Sequence, residues 1–146
     1  MREIKEIIIH CSATKSSLDY KLKDIERWHK ERQFPMSGGT YCGYHYVIDL
    51  DGRIEIGKPL DYTGCHCKGH NANSIGICYI GGLNSVTGKP HDTRTCHQVA
   101  SMWYLVGFLR LVYPGAKVYG HRDFANRDCP CFEVGNEFPP IWCGEK

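Results

Sequence analysis

The run Ile7-Ile8-Ile9 places the strongest constraint on how this chain folds. Three successive β-branched side chains favour extended backbone and suit a buried position, so Ile4 to His10 reads as an interior strand. Tyr44 to Leu50 is also strand-like. Asp51-Gly52 is a hairpin turn signal, with Arg53 to Ile56 returning as the partner strand. Ser74 to Ile80 is a further strand closed by Gly81-Gly82, and Ala116 to Tyr119 is a short one ending at Gly120-His121.

Two segments have helical periodicity. Lys21 to Phe34 sets Leu22, Ile25, Trp28 and His29 on one face and Lys23, Asp24, Glu26 and Arg27 on the other, with Asp19 as N-cap. Thr93 or Thr95 caps a longer helix running to about Val112. Its apolar face is Val99, Met102, Trp103, Val106, Leu109 and Leu111, and Pro114-Gly115 stops it. Trp28 and Trp103 thus read as core residues. Cys11 to Ser17, Pro35 to Gly43 and Leu60 to Asn73 read as loops, Asn84 to Asp92 as a turn-rich connection, and Phe132 to Lys146 as a tail with one helical turn. Strands interspersed with two helices predict a mixed α/β or α+β domain, a central mixed sheet flanked by helices. With 146 residues, no internal repeat and no linker, residues 1–146 read as a single domain.

Composition excludes several classes. Hydrophobic residues at 42% and charged residues at 23% argue against disorder. No apolar run approaches the ~18–20 residues of a membrane span, so no membrane insertion is expected. A net charge of +2 is too balanced for electrostatic nucleic-acid binding. Ile7 to Ile9 is too short for the core of a secretory signal, so the chain is expected to be made in the cytoplasm without an export address.

The count of nine cysteines is odd, so they cannot all pair within one chain. One reading makes them reduced thiols, several serving as small core residues. The other gives one thiolate to a metal and leaves eight that could pair, with no pairing favoured. Three positions suggest the second reading. His10 ends the first strand, His121 ends the last, and Cys129 follows His121 by eight residues. Neighbouring strands can bring their ends together, and two imidazoles with one thiolate suit Zn²⁺. Three protein donors leave the fourth tetrahedral position open, which is the catalytic arrangement. Each residue alone also has an ordinary structural reading, and H-x7-C is not a diagnostic zinc spacing. No HExxH is present.

The segments HCSAT (10–14), GYHYVI (43–48), DG-x-x-E (51–55), GCHCKGHNANSIGIC (64–78) and GHRD with CPCF (120–132) together resemble the type 2 N-acetylmuramoyl-L-alanine amidases. That family includes bacteriophage amidase lysozymes and the peptidoglycan recognition proteins. The resemblance covers about Ile4 to Phe132, with the segments in the family's order. It implies zinc-dependent hydrolysis of the amide between N-acetylmuramic acid and L-alanine, in peptidoglycan or muropeptides, by an endolysin-like bacteriolytic enzyme. It places the zinc ligands on His10, His121 and Cys129, the motif tyrosine on Tyr44, and Arg127 where the family often has Lys or Thr. Zinc polarises the carbonyl and acidifies its water, while Tyr44 accepts a proton or hydrogen-bonds near the metal.

Arg127 reads either as an oxyanion donor or as a surface partner of Asp128 or Asp123. Arginine stays protonated and cannot relay a proton. His66, Lys68 and Asn73 are candidate substrate contacts, although for Asn73 the turn is the favoured reading. Cys131 is expected to face away from the metal, since a fourth protein ligand would close the site. A monomer with no separate wall-binding domain is expected, acting on the wall after release or on cytoplasmic wall fragments. The alternatives are a peptidoglycan-binding module without catalysis, disfavoured by the presence of Cys129, and a Cys–His peptidase with Cys11 or Cys65 as nucleophile.

Overall fold

The computed structural model describes residues 1–140. The C-terminal end of the expected tail, including Cys143, lies outside the described residues. Five strands form the main sheet: β1 (Glu6–Cys11), β3 (Tyr46–Ile48), β4 (Ile54–Ile56), β5 (Ser74–Tyr79) and β7 (Lys117–Gly120), in the order β4-β3-β5-β1-β7. β1 runs parallel to β5 and β7, β3 runs parallel to β5, and β4 closes the edge as the antiparallel arm of the hairpin. The mixed sheet and the hairpin across Asp51-Gly52 match the sequence reading. The segment expected to be loop after Cys11 contains β2 (Thr14–Lys15), which pairs in parallel with β6 (Gly82–Leu83). Two-residue strands carry no periodicity, so they leave no trace in sequence.

Side chains alternate across the sheet, and the two faces have different partners. Ile7, Ile9, Ile75, Ile77 and Tyr79 pack against the helix α2 (Cys96–Val112) and near Val134 of the short α3 (Val134–Glu137). Val47, Cys78 and Ile80 pack on the other face with Ile25 of α1 (Leu22–Glu31). β5 is buried at all six positions, as expected for a strand covered on both faces.

Both helix starts involve side-chain acceptors, but only one was anticipated correctly. Thr95 Oγ1 accepts from Gln98 N at 3.1 Å, and Gln98 Oε1 accepts from Thr95 N at 3.0 Å, so Thr95 is the cap. Asp19 does not cap α1. Lys21 occupies the N-cap position, Asp24 accepts its N–H, and Glu55 of β4 accepts the N–H of Leu22 at 2.9 Å. A carboxylate from a distant strand thus does the work expected of a local one.

The inward face of α2 also differs from expectation. Gln98, Met102, Leu105, Val106 and Leu109 are buried, whereas Trp103 is 54% exposed and Leu111 is 83% exposed. This helix is apolar nearly all round, so its own pattern does not select a face; the sheet does. Trp103 instead lies against Phe138 and donates to Glu137. Trp28 is half-buried beside Tyr20 in the α1-side core. The eight cysteines among the described residues are all free thiols.

Candidate active site

His10 belongs to the face of β1 opposite to Ile9 and Cys11, the face shared with Gly76 and Cys78. Its neighbour strand supplies the second imidazole. Ile9 is in register with Gly120, and His121 follows directly, where the chain leaves β7. Cys129 returns on a loop held at several points. Arg122 N donates to Cys129 O at 2.8 Å, and the buried Tyr79 hydroxyl donates to Pro130 O at 2.7 Å. Cys11 N donates to Cys129 Sγ at 3.2 Å. Gly120 allows the loop to come close, since a Cβ there would meet Pro130 at 2.8 Å.

These contacts bring His10, His121 and Cys129 together, with one donor atom from each within 4.8 Å of the others. His10 Nδ1 and His121 Nδ1 stand 3.2 Å apart. Two nitrogens bound tetrahedrally to zinc at ~2.0–2.1 Å stand roughly 3.3 Å apart, so the spacing fits a shared ion. The protonation states fit as well. Burial, then the neighbouring His66 and His121, pushes His10 well below the usual imidazole range, and burial with Arg127 lowers His121. Both are neutral donors at pH 7. A hydrogen bond from Cys11 pulls the Cys129 thiol below its ordinary value, towards the thiolate a metal requires.

Around this cluster lies a cleft of about 690 Å³, lined among others by Tyr44, His66, Lys68, Asn71, His121 and Arg127. The Tyr44 ring centroid is 5.1 Å from that of His10. Burial raises the Tyr44 hydroxyl well above its ordinary pKa, so it remains protonated. That makes it a hydrogen-bond donor rather than the proton acceptor also considered from sequence. Arg127 is exposed, lines the cleft and forms no ion pair with Asp123 or Asp128. Lys68 is exposed at the cleft wall. Cys131 is outside the donor cluster; its thiol donates to Gly82 O at 3.3 Å.

His66 does more than line the cleft. Its Nδ1 is 2.8 Å from His10 Nε2, and its Nε2 is 3.2 Å from Ser74 Oγ. A neutral His10 that offers Nδ1 to a metal carries its proton on Nε2 and donates it to His66 Nδ1. His66 Nε2–H then points to Ser74. The ring lies against Gly76, where any Cβ would come 2.7 Å from it.

Asn73 is not brought into the cleft. Its side chain donates to Glu3 O at 2.9 Å, tying the turn to the N-terminus. Asn71, two residues earlier, lines the cleft, and its Oδ1 accepts from His66 N and Cys67 N at 2.9 Å each. Sequence reasoning also missed Arg32, at the C-cap of α1, and His29, whose Nδ1 accepts from Gly43 N at 2.8 Å. The GHNAN stretch contained two asparagines with nothing to separate them, and His29 looked like part of an apolar stripe.

Histidines outside the donor cluster set a pH dependence, His66, lowered by burial to about 3, among them. Burial, with Arg32 nearby, lowers His29 to about 4, and burial lowers His45 to about 4. Their unfolded values are near ~6.5, so between about 4 and 6.5 the unfolded chain binds more protons than the folded one. This stability is fully present above about 6.5 and is lost as pH falls towards 4. Each group contributes up to ~1.4 kcal/mol per pH unit to the slope. Urea unfolding between pH 7 and 4.5 is expected to show the decline; a flat profile would refute the neutral, buried assignment.

The fold and its donor cluster define a class of protein: a mixed-sheet domain whose cleft brings two imidazoles and a thiol together as a potential metal site. A family model for N-acetylmuramoyl-L-alanine amidase matches residues 1–132, and the chain belongs to that family. It is 37% identical over 133 residues to an endolysin of Klebsiella phage KP32, covering 91% of this chain and 84% of that protein. It is 28% identical over 131 residues to peptidoglycan-recognition protein SC2 of Drosophila simulans, covering 88% and 65%. The amidase LysC from Clostridium intestinale URNW superposes with a TM-score of 0.75 at 27% identity, covering 93% of this chain and 82% of that one.

Proposed function

We propose that this chain is a zinc-dependent N-acetylmuramoyl-L-alanine amidase, hydrolysing the amide between the lactyl group of N-acetylmuramic acid and L-alanine of the stem peptide. The observation that carries this reading is the 3.2 Å approach of His10 Nδ1 and His121 Nδ1 beside Cys129 on the wall of an open cleft. Family membership and the phage endolysin relative support the substrate and a bacteriolytic role. On this reading the chain is a monomer, made in the cytoplasm and acting on the wall after release or on wall fragments. No helix among the described residues is long and apolar enough to cross a membrane.

Zinc held by His10, His121 and Cys129 would supply Lewis acidity to the carbonyl and acidify water at neutral pH. The residues around it supply the rest. Tyr44, protonated, donates to the oxygen on which charge develops in the transition state. Arg127 adds positive charge at the same mouth and keeps its proton, so the leaving amine takes one from solvent. Arg32 and Lys68 line the wall where stem-peptide carboxylates would approach. His66 holds the His10 ring in the tautomer that frees Nδ1.

This last role has a separate test. His66→Ala is expected to weaken zinc affinity ~10–100-fold, measured by competition with a chromophoric chelator. An unchanged affinity would restrict His66 to substrate contact.

For the activity itself, purified muropeptides are incubated with the protein and the products identified by mass spectrometry. The expected products are a glycan with a free lactyl carboxylate and a peptide beginning at L-alanine. A chelator should stop their formation, and added zinc should restore it. Retention of intact muropeptide without cleavage would instead favour a binding module, and chelator-resistant cleavage would refute the metal.

A further inference from the structure

Cys11 and Cys131 face each other beside the metal cluster without belonging to it. Their Sγ atoms are 4.0 Å apart, and the residues are 120 positions apart in the chain. Cys11 is 5% exposed on the last residue of β1, while Cys131 is partly exposed. Two features keep the sulfurs near one another. The Cys129–Cys131 loop is pinned by the Cys129 and Pro130 carbonyls described above. Cys131 itself adopts φ 70°, a left-handed conformation uncommon for residues with a Cβ. Gly82 leaves room for the pair, since a Cβ at that position would come 2.5 Å from Cys11 Sγ.

We propose that Cys11 and Cys131 form a disulfide when the folded chain meets a low-molecular-weight disulfide, and that the bond staples the Cys129 loop to β1. Closure requires the sulfurs to approach by roughly 2 Å. Cys131, the more accessible thiol, gives its proton to solvent base as it attacks one sulfur of the small disulfide, forming a mixed disulfide and expelling a small thiolate, which takes up a proton. Cys11 then displaces the second small thiol in the same way. Two protein thiols and one small disulfide thus become one protein disulfide and two small thiols. Cys129 keeps its sulfur for the metal. That sparing rests on the metal reading above, whereas the bridge rests on geometry alone.

The full chain is incubated with oxidised glutathione, with and without added zinc, then alkylated, digested and mapped by mass spectrometry. The expected result in the zinc arm is a reducible peptide joining Cys11 to Cys131, the loss of two titratable thiols, and Cys129 still open to alkylation after denaturation. Cys131→Ser should give no such peptide. Zinc release to a chelator is expected to be several-fold slower from the bridged protein than from oxidised Cys131→Ser. Full alkylation of both residues, a Cys11–Cys129 bridge in the zinc arm, or glutathione persisting on Cys131 would overturn the proposal. Equal release rates would overturn the staple. Zinc content measured before oxidation distinguishes the two failures: a chain that binds no zinc defeats the metal reading, while the peptide map decides the bridge by itself.

Discussion

Cys129→Ser is expected to lower amide hydrolysis by about a thousandfold or more while the protein stays folded. Loss of a metal worth several kcal/mol to the transition state translates to that range, since each ~1.4 kcal/mol is tenfold. The fold should survive because the serine hydroxyl can still accept from Cys11 N, which Cys129 Sγ accepts at 3.2 Å. The loop also retains its anchors at Arg122 and Tyr79. Elemental analysis should find the variant depleted of zinc, and its urea unfolding midpoint should stay near that of the zinc-free parent. Full turnover in a zinc-depleted variant would refute the ligand assignment; a collapsed midpoint would mean that the sulfur is structural.

Tyr44→Phe should cost a factor of about 100 to 1000 in kcat, with KM little changed. A single donor to a developing oxyanion typically contributes ~3–4 kcal/mol. The ring stays in place because its aromatic body packs beside His10 and His29, at centroid distances of 5.1 and 5.4 Å. Only the hydroxyl is removed. Zinc affinity should therefore be unchanged, which separates this variant from His66→Ala. An effect confined to KM would make Tyr44 a substrate contact, and an unaltered rate would remove it from catalysis.

Much of this architecture was legible in the chain itself. Ile7-Ile8-Ile9, the Asp51-Gly52 turn and the SIGICYI run each carry a strong local signal, and the strands they mark all lie in one sheet. The start of α2 was legible only as Thr93 or Thr95; the paired bonds with Gln98 place the cap at Thr95. What failed was long-range or degenerate. The acceptor at the start of α1 is Glu55, 33 positions away from Leu22, so no local pattern announces it. The burial of α2 depends on a sheet that its own nearly uniform hydrophobicity cannot specify.

At the site, the donor trio that could hold a metal followed from donor chemistry and family resemblance. The Ser74–His66–His10 chain did not, because hydrogen bonds between histidines leave no spacing rule. The same limit explains Asn73 and Asn71: two identical amides in one short stretch are separated only by which way each turns.

The two nitrogen donors and the sulfur donor inherit different rigidity. His10 lies within β1, an interior strand, and His121 directly follows β7, the edge strand paired with it, so both nitrogen donors are tied to the sheet. Cys129 is carried on a loop outside the sheet, tied back by Arg122, Tyr79 and Cys11. The centre thus draws two donors from the sheet and one from a tethered loop, and an ion leaving for solvent would part from the loop's sulfur without disturbing the strands.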